Sequence, residues 1–412
     1  MRRAWVIALL LTAPAAQAGM HVGLGSAVAK EADALIDKAN EADLHNTTGD
    51  NAAQTLPVCG SDLPYSLLPT DLNVIAGIVP LGNLNPSGHT FPTDHIYFYM
   101  KPLDPANPVG PRMTANLFAP GAVTVTGMAT TEYLSASPPF TDYTIYFYGC
   151  RDVKSYYAHV QTLDSAFQAE VGPIDEGCSD YSTGGTRVRR CQKNLAVKVA
   201  AGTLMGTSGP PHAVSFDFGT YDMRTTVPFV SPQRRFGDNL HTVCPLDYFE
   251  GGVKGQMEAL LGRFDGAVRR TVAPVCGEIG YDVAGTARGW WYKPGAPNVP
   301  DDPHLTLAPD NIDPTKQDIA SGTSVPNLQG WWTFAPVTSG FVDRDFAQVT
   351  ADGHVYCYDT FMDPLGQPAY TGFRILIGMP TAATLQIERD PSSTTCGAGP
   401  WSLSGAAVSF ER

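Results

Sequence analysis

From Leu63 onward, apolar and polar positions alternate in short runs that Pro and Gly interrupt, and this texture predicts strands. The runs are HIYFYM, AVTVTGMA, YTIYFYG, LAVKVA and AVSFDFG. After Cys276 come EIGYDVAGTARGWWY, LQGWWTFAP, HVYCYDTF, FRILIGM, ATLQIER and AAVSFER. Two segments carry a helical period instead. Ser26 can cap a helix in which Val28, Ala32, Leu35, Ile36 and Ala39 share a face. In 254–269, Met257, Leu260, Leu261, Phe264 and Val268 share another. The pattern therefore predicts a mostly β protein with few helices.

The chain opens differently. Arg2 and Arg3 precede an apolar stretch from Ala4 to Ala13, and Ala16-Gln17-Ala18 supplies a small-x-small cleavage pattern. This predicts a signal peptide over 1–18, too short to span a bilayer at roughly 20 residues. No later run approaches a span, so a secreted or periplasmic protein without a membrane span after cleavage is expected. The organisation that follows is an N-terminal helix and linker over 19–59, a β domain over 60–245, a connecting helix over 246–270 and a C-terminal β domain over 271–412.

Composition adds two constraints. A net charge of −13 is unsuited to nucleic acid, whose phosphates need a basic surface. Eight cysteines in an exported chain suggest up to four disulfides. Sequence leaves the connectivity open; proximity favours Cys178 with Cys191 and Cys357 with Cys396. No C-x-x-C occurs, which removes a zinc ribbon or a thioredoxin-type site.

Gly289-Trp290-Trp291-Tyr292 and Gly330-Trp331-Trp332-Thr333 hold four of the six tryptophans. They fit the core of a C-terminal barrel or sandwich, and alternatively a ligand-stacking platform. An acidic loop with Asp301, Asp302, Asp310 and Asp313 offers oxygens of the kind calcium takes, but without EF-hand spacing. A solvated loop with Asx turns is the simpler expectation.

The candidate chemistry lies in the first β domain. Three segments occur in order: Gly88-His89-Thr90-Phe91-Pro92-Thr93-Asp94-His95, then Tyr156-Tyr157-Ala158-His159-Val160, then the turn 202–209 running through Pro211-His212 into Ser215-Phe216-Asp217. With MTANLFAPGAVTV and Tyr143–Tyr148 between them, this order resembles the lysostaphin-type zinc peptidoglycan endopeptidases over about 72–222. The resemblance implies a lysostaphin-peptidase-like β module. It also implies zinc held by a His-x-x-x-Asp pair and a later histidine, with two further histidines moving protons.

Carried over residue by residue, it assigns His89 and Asp94 to the metal and His159 and His212 to acid–base work. The match departs from the pattern twice. Asp94 follows His89 by five positions instead of four, which leaves His95 as an alternative ligand. Where the family's second strand histidine belongs stands Val214, which has no lone pair; strand alternation offers Asp217 instead. Two readings follow from the resemblance: a degenerate relative that binds or scaffolds peptidoglycan or another envelope polymer, and a zinc endopeptidase with altered ligands. A disulfide-stabilised surface or filament subunit is the reading that needs no family.

Overall fold

The computed structural model describes residues 52–412 apart from 184, 185, 236, 364, 365 and 370. The expected signal peptide and N-terminal helix lie outside the described residues. The chain is mostly β, built from several antiparallel sheets.

The first module contains β1 (Ile75–Val79), β2 (His95–Met100), β3 (Ala115–Phe118), β4 (Val123–Tyr133), β5 (Phe140–Cys150), β6 (Val153–Val160), β7 (Thr162–Leu163), β8 (Ser179–Thr183), β9 (Thr186–Val199), β10 (Leu204–Ser208) and β11 (Ser215–Asp222). Eight of them form one sheet in the order β1-β2-β11-β6-β5-β4-β9-β8; β3, β10 and β7 form a small second sheet. Helix α1 (Ser165–Val171) begins at Asp164, whose carboxylate accepts the amides of Ala166 and Phe167.

Period-2 alternation gives the large sheet two faces with different jobs. One carries Ile96, Phe98, Ile145, Phe147, Tyr157, Phe216 and Phe218 into the main core, which also takes Leu117 of β3 and Met205 of β10. The other carries His95, Tyr97, Tyr146, Tyr156, Asp217 and Tyr221. Cross-strand partners share a face: Asp217 stands opposite Tyr97 and Ala158, and Gly219 opposite His95 and Tyr156.

The second module contains β12 (Gly289–Trp291), β13 (Leu305–Pro309), β14 (Gln317–Ser321), β15 (Gly330–Phe334), β16 (Val355–Tyr358), β17 (Phe361–Met362), β18 (Arg374–Thr381), β19 (Thr384–Asp390) and β20 (Val408–Glu411). A five-stranded sheet, β12-β13-β14-β15-β17, and a four-stranded one, β16-β18-β19-β20, share a single core. Among the described residues no sheet closes into a barrel.

The modules are joined through neighbouring tryptophans. Trp290 belongs to the first core and Trp291 to the second. Trp290 stacks on Phe91 at 4.5 Å, and the Arg235 guanidinium lies 3.6 Å from its ring centre. Trp332 is buried as well, whereas Trp331 is half-buried.

The helical pattern at 254–269 is realised only in part, as α2 (Gly251–Glu258). Beyond it the backbone pairs with β1 instead: the Ile78 amide donates to the Leu260 carbonyl at 2.9 Å, and the Gly262 amide to the Ile78 carbonyl at 2.8 Å. A sheet edge beside Leu261 captures the apolar face that the sequence offered to a helix.

Four disulfides link Cys59 to Cys150, Cys178 to Cys191, Cys244 to Cys276 and Cys357 to Cys396. They fit an oxidising compartment. No described helix is long and apolar enough to cross a membrane.

Candidate functional site

The polar face of the large sheet gathers a buried chain of alternating carboxylates and imidazoles. His159 Nδ1 lies 2.9 Å from Asp142 Oδ2, and its Nε2 lies 3.2 Å from Asp217 Oδ2. The same Asp217 oxygen lies 3.5 Å from His95 Nε2, and His95 Nδ1 lies 2.9 Å from Asp94 Oδ1. All five residues are buried, His159 and Asp142 to within 1% of full burial.

A bulge delivers His159 to this face. On β5 only Thr144 separates Tyr143 from Ile145. On β6 both Ala158 and His159 separate their partners, Val160 and Tyr157. The extra residue restores Val160 to the core side and leaves Ala158 and His159 together on the other. His159 has φ of 60°, a left-handed conformation that glycine adopts freely and most residues avoid. A strained non-glycine backbone at the centre of a polar array marks a position the surrounding structure enforces.

The Asp94 end is held by hydroxyls and an amide. Tyr156 donates to Asp94 Oδ1 at 3.1 Å and lies 3.0 Å from His95 Nδ1. Tyr221 donates to Asp94 Oδ2 at 2.7 Å, and Asn239 Nδ2 donates to the same oxygen. Gly219 makes room for this: a Cβ there would run into the Tyr156 ring. Asn239 in turn accepts Arg235 Nη2 at 2.8 Å, which ties the array to the guanidinium over Trp290.

Burial alone lowers the His159 pKa, but the Asp217 and Asp142 carboxylates outweigh it and hold the imidazole well above its usual value. Burial, reinforced by the Asp94 charge, pushes the Tyr156 and Tyr221 phenols well above theirs and keeps both as donors.

The sequence-predicted residues fall into three places. Asp94, His95, His159 and Asp217 meet in the array. His89 lies beside it, edge-on to His95 with ring centres 5.5 Å apart. His212 stacks flat on Phe140 at 3.7 Å, where partial burial lowers its pKa. Asp94 and Asp217 approach opposite ring nitrogens of His95, so Asp94 backs that imidazole instead of joining Asp217 around one ion. Val214 contributes only its carbonyl, which accepts the Met100 amide at 3.0 Å.

The donor types suit zinc, since two imidazoles with carboxylates on Nδ1 are a usual ligand arrangement. Their placement does not. Both Nε2 atoms lie against a carboxylate oxygen, and among the described residues no three His, Cys, Asp or Glu side chains are positioned to hold a metal ion together.

Sequence reasoning did not single out Asp142, Tyr221 or Asn239, and read Tyr156 only as part of a motif. Asp142 left a trace: aspartate is depleted in strands, yet it sits in the strand-like FTDYTIYFYG. Asn239 reaches the array from a short 3₁₀ turn, Asp238–His241, with no pattern to announce it.

The other face of the sheet, beyond α1, holds a groove of about 660 Å³ lined by Glu132, Tyr143, Gln168, Asp175 and Arg189 and flanked by the Cys178–Cys191 bridge. In the acidic loop, Asp301 Oδ2 accepts the Phe91 amide at 2.8 Å, so this carboxylate serves the contact between modules. No protein-family model, curated protein or solved structure matches the chain.

Proposed function

We propose that the protein is an exported cell-envelope protein whose first module is a degenerate relative of the lysostaphin-type peptidases, used to bind peptidoglycan or another envelope polymer. One observation carries the reading: each ring nitrogen of His95 and of His159 lies within 3.5 Å of a carboxylate oxygen of the array, although His95 Nε2 and Asp217 Oδ1 make no hydrogen bond. A hydrolytic zinc site needs three converging ligands and one open position for water and substrate. Here both ring nitrogens of His95 and of His159 already face carboxylates, and the whole array is buried. Such an array fixes the sheet and leaves recognition to another surface. The groove beside Tyr143 supplies a half-buried ring and planar polar side chains for a polymer.

A second reading, a zinc endopeptidase with altered ligands, draws on the donor types alone: His95, His159 and Asp217 carry the atoms that zinc takes, although among the described residues no three such side chains are placed as a ligand set. Elemental analysis of the purified protein, with a peptidoglycan hydrolysis assay, separates the two. The binding reading expects neither stoichiometric zinc nor released fragments. One zinc per chain with chelator-sensitive hydrolysis would replace it with the second.

A further inference from the structure

The strand register lays out the floor of the groove beyond α1 in two rows. In one, Asp180 of β8 stands opposite Arg189 of β9, Arg189 opposite Glu132 of β4, and Glu132 opposite Thr141 of β5. In the next, Cys191 of β9, bridged to Cys178, stands opposite Thr130 of β4, and Thr130 opposite Tyr143 of β5. The rows lie two positions apart on every strand, so alternation puts both on one face. Gln168 of α1 and Asp175 beyond it belong to the wall.

The cations at this floor are each held already. Arg189 Nε and Nη2 donate to the two carboxylate oxygens of Asp180, at 2.7 and 3.2 Å. Arg187 Nη2 donates to the same carboxylate at 3.1 Å. Lys193 Nζ donates to the carbonyls of Val171 at 2.9 Å and Pro173 at 2.8 Å, where the chain leaves α1. Arg187, Arg189 and Lys193 thereby balance Glu132, Asp175 and Asp180. Neither guanidinium is free to clamp a carboxylate or a phosphate through its full fork. What the groove offers instead is uncharged chemistry: the hydroxyls of Thr130 and Thr141, the amide of Gln168 and the half-buried ring of Tyr143. These suit a polyhydroxylated ring, whose C–H face packs on an aromatic side chain while its hydroxyls exchange hydrogen bonds with hydroxyls and amides.

We propose that the groove takes an uncharged glycan strand, a chain of sugar rings, in preference to the charged peptide of an envelope polymer. This assignment rests on the binding role proposed for the module and names the part of the polymer that is read. Stem peptides end in carboxylates, which would meet occupied cations and the charges of Glu132 and Asp175. A sugar ring asks for no counter-charge.

Calorimetric titration of the whole protein with an N-acetylglucosamine oligosaccharide, and separately with a free stem peptide, tests this beside sedimentation with intact peptidoglycan. The oligosaccharide is expected to bind more tightly than the peptide. Its affinity is expected to change by less than about twofold between about 0.05 and 0.5 M salt, since no ion pair forms for salt to screen. Tyr143→Ala is expected to weaken oligosaccharide binding by about two- to tenfold. If that variant does not fold, Gln168→Ala, on the exposed side of α1, is read in its place. Peptide binding as tight as that of the oligosaccharide, strong salt dependence, or unchanged affinity in the variant overturns the glycan assignment. Sedimentation with intact peptidoglycan would then still uphold the binding role. Loss of both oligosaccharide binding and sedimentation removes that role as well.

Discussion

His159 and Asp217 face each other at 3.2 Å across the β6–β11 seam, and their meeting depends on one extra residue in β6. Without the bulge, alternation would turn His159 toward the Phe218 side of the sheet. The ion pair is therefore a product of backbone irregularity as much as of residue choice.

His159→Ala removes the cation between two buried carboxylates. Breaking a buried pair from one side costs about 3–5 kcal/mol, because the partner charge is stranded. Equilibrium denaturation is expected to show a loss in that range, and a loss under 1 kcal/mol would indicate that the array bears little on stability.

The raised His159 pKa sets the sign of a pH dependence. A group whose folded pKa exceeds its unfolded one contributes fully below the unfolded value, near 6.5, and loses that contribution as pH rises through the folded one. Denaturation midpoints are expected to fall with alkalinity above about pH 6.5, more steeply for wild type than for His159→Gln. Parallel profiles would contradict the assignment.

Gly219→Ala places a methyl group against the Tyr156 ring. Overpacking of this kind costs about 1–3 kcal/mol. It should also displace the Tyr156 hydroxyl from Asp94, so adding Tyr156→Phe to Gly219→Ala is expected to cost less than Tyr156→Phe alone. A double-mutant cycle reads the difference.

Trp290→Ala should cost about 3–5 kcal/mol, as large aromatic truncations in a core do. Trp331, half-buried, is expected to cost clearly less by thermal denaturation. Equal losses would mean that the two Trp-Trp steps are packed alike.

Much of the β architecture was legible because alternation is a local signal: HIYFYM and AVSFDFG became β2 and β11 with Phe98 and Phe216 on the core side. The Cys178–Cys191 and Cys357–Cys396 bridges followed from proximity, whereas Cys59–Cys150 spans 91 positions and only the fold brings it together. Helix period at 254–269 misled because periodicity cannot reveal that β1 has an edge free to take the Leu261 backbone. Within the site, motif reasoning reached Asp94, His95, His159 and Asp217 but not their mutual roles. Those depend on which ring nitrogen each carboxylate meets, and that is fixed by the bulge at His159 and by Tyr156 crossing Gly219.

The central proposal is binding without metal chemistry, and sedimentation of the full-length protein with purified peptidoglycan tests it most directly. The account predicts co-sedimentation that a chelator does not alter, that Tyr143→Ala in the groove weakens, and that releases no soluble fragments. Failure to sediment, or chelator-sensitive release of fragments, would contradict it.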